Sequence, residues 1–320
     1  MKYRYAKRTA AFALASVLLL GGSASALFGV KVPTEAPEGA PTARDLEITT
    51  YRGIPYSAQL LASDSEGDDI TFALAQEPRK GTVEIDGVNF VYTPKENAVG
   101  GDRFTYTATD SGGRMSLPAT VTVSIEKTRS GVTYADMGDS PAAAAAQCLA
   151  EEGIFAGACI GGQYYFQPEA EVSRSEFLAM TLEMAEREVT AVTVTGFCDD
   201  EAIPAWAKSY VSAGVAQGIV CGKSTEEGPA FRGEEAITFS EAATVLDRVL
   251  DLEDVDLQVW YADREAVPSW AAQAVGNMEA VSVLPTASFG SLDLEKAVTR
   301  ADAAMMLAAA KTLLEGKMAN

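Results

Sequence analysis

Ser173-Arg174-Ser175-Glu176, Thr238-Phe239-Ser240-Glu241 and Thr299-Arg300-Ala301-Asp302 are three versions of one helix start, and they decide how the second half of this chain folds. In each, a Ser or Thr hydroxyl can accept from a backbone N–H of the first turn, and the acid three residues on can reach back to the cap's own N–H. Working outward, Tyr134-Ala135-Asp136, Phe197-Cys198-Asp199 and Tyr261-Ala262-Asp263 recur at intervals of 63 and 64 residues. Five residues after each Asp comes a proline, Pro141, Pro204 and Pro268, expected at the first position of a helix, where its missing N–H costs nothing. Two residues later stand Ala143, Trp206 and Trp270. That helix is expected to end at Gly153-Ile154-Phe155-Ala156-Gly157, at Gly218-Ile219-Val220-Cys221-Gly222, and at the degenerate Ser282-Val283-Leu284-Pro285-Thr286. Each unit thus holds two helices joined by a long extended turn, with Phe166 and Phe231 nine residues past the second glycine of the first two copies.

Upstream the pattern changes. From 44 to 127 the apolar residues alternate with period two, as in Ile70-Thr71-Phe72-Ala73-Leu74, Phe104-Thr105-Tyr106-Thr107-Ala108 and Val121-Thr122-Val123-Ser124-Ile125. Turn signals at Glu66-Gly67-Asp68, Asp86-Gly87, Gly100-Gly101 and Ser111-Gly112-Gly113 separate about seven strands, which argues for an all-β sandwich. Residues 27–43, with Pro33, Pro37 and Pro41, read as a linker. Residues 1–26 read as a signal peptide: Lys2, Arg4, Lys7 and Arg8, an apolar run from Ala10 to Leu20, then Ala24-Ser25-Ala26 for cleavage. That run is too short to span a bilayer comfortably, so no membrane insertion is expected after cleavage.

Composition removes whole classes of chemistry. The 320 residues include no histidine, which excludes imidazole nucleophile systems, His-ligated zinc and imidazole proton shuttles. With 25 basic against 45 acidic residues the formal charge is −20, and removal of the first 26 residues leaves 21 against 45, or −24. Nucleic acid is therefore not an expected partner. Export would allow disulfides among Cys148, Cys159, Cys198 and Cys221, with burial of the thiols as small hydrophobes the alternative. Gly218-Ile219-Val220-Cys221-Gly222-Lys223-Ser224 imitates a phosphate loop but is one residue short, and no carboxylate pair sits in a recognised glycosidase framework, so no catalysis is expected. Asp64, Glu66, Asp68 and Asp69 crowd one turn, either a weak Ca²⁺ site or a solvated acidic loop.

Two family resemblances add to this reading. Leu61-Ala62-Ser63-Asp64, Phe90-Val91-Tyr92-Thr93-Pro94 and Asp102 to Asp110 resemble bacterial Ig-like and cadherin-like extracellular modules, which implies a spacer or adhesive role. The repeat resembles the S-layer homology (SLH) domain, with copies at 134–190, 197–252 and 260–315. That resemblance implies an α-helical pseudo-threefold bundle whose grooves hold secondary cell wall polysaccharide, often with a pyruvylated sugar, docking an exported protein on a Gram-positive wall. The residues it implies for glycan contact are Asp136, Arg174, Asp199, Trp206, Asp263, Trp270 and Arg300. A cation in a helix's first turn opposes the macrodipole, so Arg174 and Arg300 require an anion, supplied either by a neighbouring repeat or by a sugar carboxylate. Each tryptophan either stacks on a sugar or plugs a junction between repeats, and each aspartate bonds either backbone or sugar hydroxyls. Copy one has Ala143 in place of Trp, copy two Phe239 in place of Arg, and copy three lacks the glycine turn, so fewer than three grooves are expected to be competent. The different-class alternative is a structural surface protein whose repeats self-assemble or bind another surface protein without glycan.

Overall fold

The computed structural model describes residues 35–138, 140–257, 267–284 and 293–319. The expected signal segment at 1–26, the start of the linker, and Tyr261-Ala262-Asp263 lie outside the described residues.

The alternating half forms two facing antiparallel-rich sheets. Nine strands are present: β1 (Thr42–Ala43), β2 (Leu46–Tyr51), β3 (Tyr56–Gln59), β4 (Ala62–Ser63), β5 (Thr71–Gln76), β6 (Gly81–Asp86), β7 (Asn89–Pro94), β8 (Gly100–Thr109) and β9 (Ala119–Glu126). One sheet runs β2-β9-β8-β5 and the other β3-β7-β6, while β1 and β4 pair separately. The β2–β9 pairing is parallel, Ile48 lying opposite Val123, and the other ladders are antiparallel. Period-two alternation sends Phe90, Tyr92, Phe104, Tyr106, Val121, Val123 and Ile125 into the space between the sheets, where all are essentially inaccessible. Two of these carry a polar tip, and both tips are satisfied. Tyr106 donates to the Arg44 and Leu61 carbonyls at 2.5 and 2.8 Å, and Tyr92 donates to Asp102 at 2.9 Å.

Among the described residues the second half supplies six α-helices: α1 (Ala143–Glu151), α2 (Arg174–Met184), α3 (Lys208–Ala216), α4 (Phe239–Leu250), α5 (Ala272–Ala280) and α6 (Arg300–Ala319). Their starts correct one expectation. The prolines do not open the helices but sit in turns before them, closed by Ala143 N to Ser140 O, Ala207 N to Pro204 O and Ala271 N to Pro268 O. The extended turn between helices also contains structure, a short hairpin in each of the first two copies: β10 (Ala158–Ile160) with β11 (Gln163–Tyr165), and β12 (Lys223–Thr225) with β13 (Gly228–Ala230).

The second helices α2, α4 and α6 touch one another. Each first helix packs on the second helix of another copy: α3 on α2, α5 on α4 and α1 on α6. Just before the caps, three buried residues join in a closed ring of backbone hydrogen bonds. Val172 N donates to Val298 O at 3.0 Å, Val298 N to Ile237 O at 2.8 Å, and Ile237 N to Val172 O at 2.9 Å. The ring leaves none of these three buried N–H groups unpaired.

The sandwich is docked on the first copy rather than tethered to it. Strands β2 and β3 contact α1, and Ile54 from the loop between them packs against the helical core. Tyr51 is 4% exposed, and burial raises its hydroxyl well above the usual range. Glu151 at the end of α1 accepts from Arg129 N, Ser130 N, Ser130 Oγ and Gln147 Nε2 at 2.6 to 2.9 Å, fixing the segment that joins the two halves. Burial alone would raise the Glu151 carboxyl, but these donors hold it below its ordinary value.

Candidate functional site

The junction between copies one and two is assembled from four local pieces, and the junction between copies three and one from the first three of them. The first is a tight glycine turn before the hairpin. Gly222 has φ +73°, and a Cβ there would lie 2.5 Å from the Phe197 ring and 2.8 Å from Ala230 O, so the position admits only glycine. Gly157 matches it, with φ +69° and the Tyr165 carbonyl in the way.

The second piece is the aspartate. Asp136 accepts from Phe166 N at 2.9 Å and Gln167 N at 2.7 Å, and Asp199 accepts from Phe231 N at 2.8 Å and Arg232 N at 2.7 Å. Both thereby hold the residue after the phenylalanine in a left-handed conformation, Gln167 at φ 58° and Arg232 at φ 57°. Each carboxylate spends both oxygens on backbone, the first of the two roles its position suggested.

The third piece is the capped helix start. Ser173 with Glu176 and Thr238 with Glu241 form complete capping boxes, and Thr299 with Asp302 exchanges the same pair of bonds. The arginine that follows points into the next copy. Arg174 Nε donates to Phe231 O at 3.0 Å, Nη1 lies 2.8 Å from Glu241 Oε2, and the guanidinium sits 5.4 Å from the Phe231 ring centre. Arg300 Nη1 donates to Phe166 O at 3.3 Å and Gln167 Oε1 at 2.8 Å; Nη2 lies 3.9 Å from Glu176 Oε1, and the guanidinium faces Phe155 at 5.3 Å. In both cases the compensating anion is the capping carboxylate of another copy. The cleft beside Arg300, lined by Phe155, Phe166 and Glu176, has a volume of about 10 Å³, hardly more than one water needs.

The fourth piece is Lys223, which the spacing gave no reason to single out beyond the failed phosphate-loop pattern. Its Nζ lies 2.8 Å from Glu241 Oε1, so Glu241 bridges two cations. Burial would raise this carboxyl, yet Lys223 and Arg174 together hold it below its ordinary value. The third junction differs: Phe239 is buried there, with its N–H on Lys296 O at 3.2 Å and the neighbouring Ser240 hydroxyl on Leu294 O at 2.9 Å.

Trp206 and Trp270 are 51% and 59% exposed, so neither plugs a junction. Asp263, their expected companion, lies outside the described residues. Among the described residues no cysteines are paired, and Cys159, Cys198 and Cys221 are exposed, so neither disulfide formation nor burial describes them; only Cys148 is half-buried. The imitation phosphate loop is the glycine turn running into β12. In the acidic turn, Asp64, Glu66 and Asp68 bring carboxylate oxygens within 4.8 Å of one another, while Asp69 is exposed and outside the group. Arg114 already bridges Glu66, Asp68 and the buried Asp110, which neutralises much of what would draw a cation. Among the described residues no helix is long and apolar enough to cross a membrane.

Comparison with known proteins places two families on this chain. The family model described as bacterial Ig domain matches residues 38–125, and that of the S-layer homology domain matches residues 196–243. The chain therefore carries an N-terminal Ig domain followed by an S-layer homology domain, the latter falling on copy two. The SLH domain is a module of cell-surface and wall-associated proteins, and neither domain type is typically catalytic. No curated protein matches the chain. Among solved structures, an endo-fucoidan hydrolase from glycoside hydrolase family 107 is 22% identical over 30% of this chain and 15% of its own, with TM-score 0.26. Fibronectin(III)-like modules from Clostridium thermocellum are 18% identical over 27% of this chain and 47% of theirs, with TM-score 0.20. A SusE-like surface located polysaccharide binding protein from Bacteroides thetaiotaomicron is 14% identical over 28% and 16%, with TM-score 0.20. The chain thus spans 15% of the hydrolase's length.

Proposed function

We propose that this is an exported, non-catalytic surface protein held to the cell wall by three SLH repeats that bind secondary cell wall polysaccharide. In this reading residues 1–26 direct export, 44–127 form the displayed sandwich, and 134–190, 197–252 and 260–315 close into a pseudo-threefold bundle. The cyclic packing of first helices on the second helices of other copies supports the bundle, because each copy's apolar stripe is completed by another copy. What carries the binding reading is repetition: the same aspartate, phenylalanine and arginine constellation is built twice, and exposed indoles stand before α3 and α5. An exposed tryptophan face suits a sugar ring, and a guanidinium suits its carboxylate, such as a pyruvyl substituent.

Sedimentation of the full chain with purified walls tests this. Binding that disappears after acid extraction of the wall polysaccharide supports it; binding that survives extraction, or none at all, overturns it. The second reading, structural repeats that self-assemble or hold another surface protein, is favoured by the pairing of Arg174 with Glu241, which answers the arginine's charge without a ligand. Concentration-dependent assembly in the absence of walls would support that alternative.

A further inference from the structure

The junctions are not equivalent in charge. Where copies one and two meet, the cations Arg174, Lys223 and Arg232 stand among the carboxylates of Glu241, Glu235 and Asp199, so the local sum is 0. Where copies three and one meet, Arg300 stands beside Glu176 and Asp136, and the sum is −1. The residue matching Lys223 at the start of the first hairpin is Ala158. Where copies two and three meet, Phe239 replaces the arginine while the capping carboxylate, Asp302, remains, so that junction lacks the guanidinium the other two have. In a chain of charge −20 these differences decide where an anion can rest.

Resting on the reading of the repeats as polysaccharide-binding, we propose that the junction between copies one and two is the single site for an anionic sugar substituent, and that Lys223 is the residue that selects it. Arg174 is 11% exposed, with Nε on Phe231 O and Nη1 beside Glu241, so it is mostly enclosed and lends field more than an open donor. Lys223 is 44% exposed, and its ammonium has three N–H groups, with Glu241 at 2.8 Å and Glu235 at 4.0 Å as its carboxylate neighbours. Its outward donors are the groups a carboxylate or phosphate on the glycan meets first. This junction also receives α3, which Trp206 precedes, whereas the helix entering the junction of copies three and one opens with Ala143 at the matching position.

Titration of the full chain with solubilised wall polysaccharide tests the proposal, with Lys223→Ala, Lys223→Arg and Ala158→Lys beside the wild type. The expected results are one site per chain, about tenfold weaker binding for Lys223→Ala, recovery in Lys223→Arg, and a second site in Ala158→Lys. Lys127→Ala, an exposed lysine outside the junctions, leaves affinity unchanged. Polysaccharide stripped of carboxylate groups, and separately of phosphate, distinguishes the two anion chemistries. Wild-type binding that Lys223→Ala does not weaken, or that Lys223→Arg does not recover, overturns the role of Lys223 while leaving wall binding intact. Absence of wild-type binding overturns the wall-binding reading itself.

Discussion

Arg174 sits in a place where a helix disfavours it and is held there by another copy. Its carboxylate partner is as enclosed as it is, the two side chains being 11% and 12% exposed, so removing the guanidinium leaves a buried charge with Lys223 as its one remaining cation. Arg174→Ala is expected to cost about 1.5–3 kcal/mol in chemical denaturation, the opposite of what the opposed helix dipole alone would give. Arg300→Ala, whose pair is longer and more solvated, should cost about 0–1 kcal/mol. Equal losses at the two positions would contradict this ranking. Acid should probe the same cluster. The Glu241 carboxyl is depressed in the folded state, so its contribution is complete above the ordinary glutamate range and is lost as pH falls through the folded value. Melting temperature followed downward from pH 6 should therefore fall less steeply for Glu241→Gln than for the wild type. The capping boxes and the need for an anion near each arginine were legible in the sequence, because both follow from what a helix's first turn leaves unsatisfied. The partner was not, since Glu241 lies in another copy and Lys223 belongs to no periodic pattern.

At the scale of elements, the glycine turn and the aspartate form one device: the turn brings the hairpin back, and the aspartate pins its far end. Gly222→Ala adds a Cβ against both a ring and a carbonyl at a left-handed position, and should cost at least about 1–3 kcal/mol. Asp199→Ala leaves two backbone donors of the Phe231–Arg232 turn without their charged acceptor and should cost about 1.5–3 kcal/mol for each bond. Thermal melts that rank either variant with wild type would refute the device. Helix existence was readable from the recurring motifs, but the hairpins were not. Three-residue strands such as Lys223–Thr225 give too short an alternation to register, and the residues that pin them lie some thirty positions away.

Across the whole molecule, the sequence separated an alternating half from a helical half and said nothing of their contact. Neither Tyr51 nor Ile54 carries a mark of that contact in the sequence, because a docking face is defined only by what arrives on it. Ile54 packs on the helical core, so the halves should unfold together, in one calorimetric transition. Ile54→Asp should split that transition in two, the sandwich and the helices melting separately. A single unshifted transition in the variant would show that the contact contributes nothing.

The ring of Val172, Ile237 and Val298 also imposes an order in time. A ribosome delivers these residues one after another, and two of the ring's three bonds require Val298. Until that residue arrives, the first two copies hold only the bond from Ile237 N to Val172 O. The helical half cannot settle copy by copy as it is made, because the contact that completes the first copy comes from the third, across a separation that makes closure slow. A chain halted after residue 257 is expected to have helical far-ultraviolet dichroism with only the near-ultraviolet signal of the sandwich's packed rings, and to gain that of the helical half, where Tyr134 and Phe166 pack edge to face, when the remaining segment is supplied.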